Sequence, residues 1–167
     1  MNKGAIWYIT LFVVVVLVQV LFMNNIQFSG LVNPYFYVLF ILLMPLNTPR
    51  YVLLLLGFLL GIVIDIFVNT PGIHASSSVF MAFMRPFVIN ASNVDDSDKM
   101  IIPSISNIGF SWFLKYAGIL IMLHHVFLFF VEIFTFSGFI NTLMRAVLSS
   151  LFSLVFVVIS QFLIFRK

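Results

Sequence analysis

Apart from a few short polar breaks, the chain is a succession of apolar runs, at residues 6–23, 34–46, 51–68, 73–89, 112–136 and 143–165. A helix needs about 20 mostly apolar residues to cross a hydrocarbon core. A spanning strand would alternate with period two, and no such alternation is present. The expected fold class is therefore an all-α integral membrane protein, with residues 1–167 forming a single transmembrane helical domain. Composition agrees, at 63% hydrophobic and 8% charged, against roughly 45–50% and 25% in soluble domains. Charges this sparse cannot solvate a water-facing surface, but they suit loops. The net charge of +3 comes from scattered basic residues, so nucleic acid is not an expected partner. Cysteine is absent, which excludes disulfides and thiolate metal sites.

The first run ends Leu21-Phe22-Met23-Asn24, without the small-residue cleavage site that closes a signal peptide. It is expected to remain as a helix. The second run is short. With Asn33 as N-cap and Pro34 as first helical residue, it reaches only roughly 20 Å, against a core of about 30 Å. It either leans on its neighbours in a thinned membrane or re-enters. The fourth run carries Ser76, Ser77, Ser78 and Arg85, and belongs inside the bundle with little lipid contact. Charge placement separates the two topologies. Six spans put Lys3, Arg50, Lys99, Arg166 and Lys167 on one side, with Arg85 and Lys115 near it. The positive-inside rule then predicts six transmembrane helices with N- and C-termini cytoplasmic.

Ionisable groups inside a membrane call for a partner or a purpose. Gly57, Gly61 and Asp65 recur at i, i+4 and i+8 and so share one helix face, where the glycines admit a second backbone. Asp65 then locks helix packing, binds a ligand or ion, or contacts another membrane protein. Asn69-Thr70-Pro71-Gly72 predicts a tight outer turn, and the reversal brings His74 back to the depth of Asp65. An Asp65–His74 contact across that hairpin is expected. Arg85-Pro86 sits in the far third of the same span, where Pro86 can bend the helix. Arg85 either snorkels to lipid headgroups, pairs with Asp95, Asp96 or Asp98, or meets a partner.

His124 and His125 point about 100° apart on a helix and do not converge on one ion. Glu132 and Arg145 are expected to form an ion pair closing the last hairpin. Arg145, Ser149 and Ser153 form a polar stripe that should face the bundle. One aspartate and one histidine are too few for a metal, which usually takes three or four ligands, so neither metal nor cofactor is expected. No nucleotide-binding loop occurs, and no serine or carboxylate pair is set for catalysis. An enzyme is not expected.

The stretch 57–87, GFLLGIVIDIFVNTPGIHASSSVFMAFMRPF, resembles the bacterial rod shape-determining protein family MreD. Gly61, Asp65, Pro71, Gly72, His74 and Ala75 match that family's Gly-rich acidic span, its turn and the opening of its next span. Arg85-Pro86 fits a recurring variant. The resemblance implies a multi-pass scaffold of the bacterial inner membrane, within the machinery for cell elongation and peptidoglycan synthesis. The partners it implies are a bitopic MreC-like protein, the actin-like MreB and the wall synthases. The family also resembles the six-helix substrate-capture subunit of energy-coupling-factor transporters. On that second reading Asp65 and His74 would line an outward pocket for a vitamin-like molecule.

Overall fold

The computed structural model describes residues 4–26, 32–92, 101–134 and 138–165, and these are all-helical, with no β-strand among them. The helices are α1 (Ala5–Leu21), α2 (Leu39–Leu42, entered through a 3-10 turn at Phe36–Val38), α3 (Arg50–Val68), α4 (Ile73–Ala91), α5 (Ile105–Ile108), α6 (Phe110–Ile133) and α7 (Phe139–Ile164). Four of them are long and apolar enough to cross a membrane: α1 with its following turn, α3, α6 and α7. Their outward faces keep large apolar side chains exposed, among them Ile9, Leu55, Ile119 and Leu163. That pattern suits a lipid surface rather than water.

The second run departs from expectation. Helix starts at Phe36, and neither does Asn33 cap it nor does Pro34 open it. Instead residues 32–35 are non-helical, and side chains from other helices hold their main-chain groups. Asn33 N–H donates to Ser149 Oγ at 3.0 Å, and Tyr35 N–H to Ser153 Oγ at 2.8 Å. Gln19 Oε1 accepts from Phe36 N–H at 2.6 Å and Tyr37 N–H at 3.3 Å, while its Nε2 donates to Pro34 O at 3.2 Å. Non-helical backbone is tolerated at membrane depth only when protein supplies its partners. Here the amide of α1 and two serines of α7 do so.

From Tyr37 to Met44 every residue is buried, with at most 4% of its surface exposed. The segment leans on its neighbouring helices on every side. It is the core. One end lies beside Gln19, His74 and Ser153, and the other beside Arg85 and Tyr116. It therefore runs in the same direction as α4 and opposite to α6.

The remaining helices wrap this insert, with the most extensive packing between α3 and α4, α6 and α7, and α4 and α6. α4 continues unbroken through Pro86. It buries Ser77, Ser78, Met81 and Arg85, but turns Phe83 and Phe87 outward, so its far half is only partly enclosed. Asn69 ends α3 in the left-handed conformation (φ 57°), and Gly72 (φ 82°) precedes α4, which makes the sharp reversal read from the sequence.

Candidate functional site

Two layers of buried polar groups pin the interior segment, one near each end of the bundle. The first layer is organised by Asp65. Its Oδ1 accepts from His74 N–H at 2.9 Å and Thr70 Oγ1–H at 2.8 Å, and its Oδ2 from Ala75 N–H at 2.9 Å. The first N–H groups of any helix lack intrahelical acceptors. Gly72, the residue preceding α4, has no side chain to supply one. Asp65 does that work from the neighbouring helix, where a carboxylate also suits the positive end of the helix dipole. The Asp65–His74 contact expected across the hairpin thus runs through the main chain of His74 and not through its ring.

Close approach makes the bond possible. A Cβ at Gly61 would stand 2.5 Å from the His74 carbonyl oxygen and 2.6 Å from the Ala75 nitrogen. A Cβ at Gly57 would stand 3.1 Å from the Ser78 oxygen. Pro71 and Gly72 close the turn between them. Asp65→Asn is expected to lower stability by roughly 1–2 kcal/mol, because the amide nitrogen would oppose one of the two helix N–H donors. Thermal unfolding in detergent checks this; an unchanged midpoint would remove the capping role.

Freed from Asp65, the His74 ring turns inward. Its Nδ1 lies 2.9 Å from Tyr37 Oη, which lies 2.8 Å from His124 Nε2. A hydroxyl has one proton, so Tyr37 donates to one imidazole and accepts from the other. This row ties α2 to both α4 and α6. His125 takes a different path. Its Nδ1 meets Ile121 O at 2.8 Å, and its Nε2 meets Ser153 Oγ at 3.0 Å. A carbonyl only accepts, so Nδ1 carries the hydrogen, and the neutral ring accepts from Ser153. The two histidine rings, 5.3 Å apart and inclined at 72°, serve separate networks. Ser153 and His125 have the spacing of a nucleophile and base. Both are fully buried, however, and Ser153 Oγ already accepts the Tyr35 N–H, so the pair is a structural bond.

Tyr35 fills the space between these networks, with its ring 5.1 Å from His74 and 5.2 Å from His125. A cleft of about 190 Å³ opens above it, bordered by Asn24, Asn33, Thr70, His74 and Glu132. Glu132 Oε2 lies 3.5 Å from Arg145 Nη2, and the Arg145 guanidinium sits 4.5 Å from the Phe129 ring centre. Ser149 and Ser153 of the α7 stripe face the bundle, both fully buried. No group of three or more metal-ligating side chains is present among the described residues.

The second layer corrects the expectation for Arg85. It does not snorkel, since only 1% of its surface is exposed. Its Nη2 donates to Met44 O and Pro45 O, and its Nε donates to Tyr116 Oη at 2.7 Å. Tyr116 in turn donates to Leu42 O at 3.0 Å. The guanidinium thus bonds the carbonyls of the two residues that follow the C-cap of α2, of which Pro45 O also accepts from Thr48. Asp95, Asp96 and Asp98, the other partners considered for it, lie outside the described residues, as do Lys3, Lys99, Arg166 and Lys167.

Gln19 and Tyr37 bond at the Asp65 end and Tyr116 at the Arg85 end, and sequence reasoning passed over all three. Gln19 carried a signal, as the one amide within an otherwise apolar run. The tyrosines carried none, because interface and core tyrosines read alike. Compared with protein-family models, curated proteins and solved structures, the chain finds no match.

Proposed function

We propose that this chain is a non-enzymatic scaffold of the bacterial inner membrane, acting in the complex that couples cell elongation to peptidoglycan synthesis. It crosses the membrane six times with both termini cytoplasmic. The interior segment serves as the second crossing, and α4 as the fourth. Its working partners are a bitopic MreC-like protein, the actin-like MreB and the wall synthases. The family assignment rests on the likeness of residues 57–87 to MreD.

The observation that carries the scaffold reading is the filled centre. Residues 37–44 fill the centre of the bundle, each with at most 4% of its surface exposed. Both layers of hydrogen bonds fasten them in place. Small-molecule sites usually enclose about 300–1,000 Å³, whereas the cleft above Tyr35 measures about 190 Å³. A rigid, self-filled bundle suits a part that presents surfaces to other membrane proteins.

One observation favours the second reading, a substrate-capture subunit of the energy-coupling-factor type. The cleft lies at the outer end on the proposed topology, and His74 borders it. Depletion in the host separates the two. Loss of control over cell width, with mislocalised MreC-like and MreB partners, is the expected result. Unchanged width with a growth defect rescued by one vitamin would replace the scaffold with an uptake role.

A further inference from the structure

We propose that the cleft between the far half of α4 and the first half of α6 binds an anionic phospholipid. The phosphate would sit at Lys115 and Trp112, and an acyl chain would lie along the helices. The cleft has a volume of about 910 Å³. Met84 and Val88 of α4 and Ile119 and Leu123 of α6 line its apolar length. Lys115 and Trp112 stand together at its polar end, one helical turn from the Tyr116–Arg85 bond.

Three features of this end point to the headgroup chemistry. Lys115 is exposed and has no ion-pair partner among the described residues. Trp112 is held by stacking on Tyr116, with ring centres 4.8 Å apart and planes inclined at 16°. Its Nε1–H is buried and lacks a hydrogen-bond acceptor among the described residues. A buried donor left unpaired is costly; with a phosphate held at the lysine, the indole edge would turn toward the cleft and donate to a phosphate oxygen. Ser92 and Ser111 line the cleft beside Trp112, whereas Met84, Val88, Ile119 and Leu123 match a hydrocarbon chain. Of the other cations nearby, Arg85 is already committed to the carbonyls of Met44 and Pro45, and Arg50 lies over the Phe87 ring at 5.8 Å.

The inference rests only on the proposed topology, which sets this end at the cytoplasmic leaflet, where anionic lipids attract basic side chains. It does not depend on the partners. The test is native mass spectrometry of the full chain released from bilayers with equal phosphatidylglycerol and phosphatidylcholine. The wild-type protein should retain phosphatidylglycerol over phosphatidylcholine by about fivefold, the effect of one basic residue at an anionic surface. Lys115→Gln should abolish the preference, Lys115→Arg should keep it, and Trp112→Phe, which preserves the stacking, should weaken it. Equal retention of both lipids, or a preference that survives Lys115→Gln, would overturn the lipid site. Displacement by inorganic phosphate alone would also overturn it, by reducing the cleft to a simple anion site. Failure of the chain to enter bilayers at all would refute the membrane topology as well, so the two failures are distinguishable.

Discussion

Gly61→Ala should destabilise the protein by roughly 3 kcal/mol, an overpacking cost at the upper end of the usual range. The reason is that the atoms facing Gly61 are main chain. The His74 oxygen and Ala75 nitrogen would stand 2.5 and 2.6 Å from the new methyl group. They cannot turn aside as a side chain can. Any separation of α3 from α4 also stretches the two N–H bonds to the Asp65 carboxylate. Packing and capping fail together. Two other glycines grade the effect. Gly57→Ala would meet the Ser78 oxygen at 3.1 Å and Ala82 Cβ at 3.2 Å, which predicts a cost of about 1 kcal/mol. Gly118→Ala would meet only Leu154 Cδ2 at 3.8 Å, and should gain a few tenths to about 1 kcal/mol from helix propensity. Thermal midpoints in one detergent should fall in that order. A Gly61→Ala variant as stable as Gly118→Ala would refute the close backbone approach.

Arg85→Met should cost roughly 1–3 kcal/mol, although methionine fills similar space and removes a buried charge. Deleting a buried ion can be neutral when its partners leave with it. Here the partners are main-chain carbonyls of Met44 and Pro45, which cannot be deleted, together with the Tyr116 hydroxyl. Loss of the guanidinium strips Met44 O of its partner, at about 1–3 kcal/mol in a dry interior, whereas Pro45 O keeps its bonds from Thr48 and the Tyr116 hydroxyl its bond to Leu42 O. Arg85→Lys should recover less than half of the loss, because an ammonium cannot span the separation between Tyr116 Oη and the α2 carbonyls as a planar guanidinium does. Tyr116→Phe should cost less on the Arg85→Met background than in the wild type, since only its bond to Leu42 O is then lost, the bond from Arg85 being gone already. Unfolding in detergent, read through the double-mutant cycle, checks all three. Additive losses would show that Arg85 and Tyr116 hold α2 independently.

Much of this arrangement could be read from the residues themselves. Gly57, Gly61 and Asp65 fall on one face because helical geometry places i, i+4 and i+8 together. The turn at Asn69-Thr70-Pro71-Gly72 follows from local backbone preferences. The serines of α4 and α7 had to face inward, since lipid offers their hydroxyls no partner. What each inward group touches was not legible. Asp65 had a nearby histidine in the sequence, yet its bonds go to main-chain N–H groups, which no side-chain pattern records. Arg85 had aspartates downstream, yet its bonds go to carbonyls from a segment some forty residues earlier in the chain. Long-range partners of this kind leave no periodicity to detect.

Hydropathy and run length alone determined that the chain is helical and suited to a membrane, because a hydrocarbon phase selects apolar segments whose backbones bond within themselves. The fate of residues 33–46 was decided only in three dimensions. They are as apolar as a lipid-facing helix of that length would be, so composition could not tell core from surface. Gln19, Ser149, Ser153, Arg85 and Tyr116 made the difference, by giving hydrogen-bond partners to a backbone too short and irregular to survive in contact with lipid.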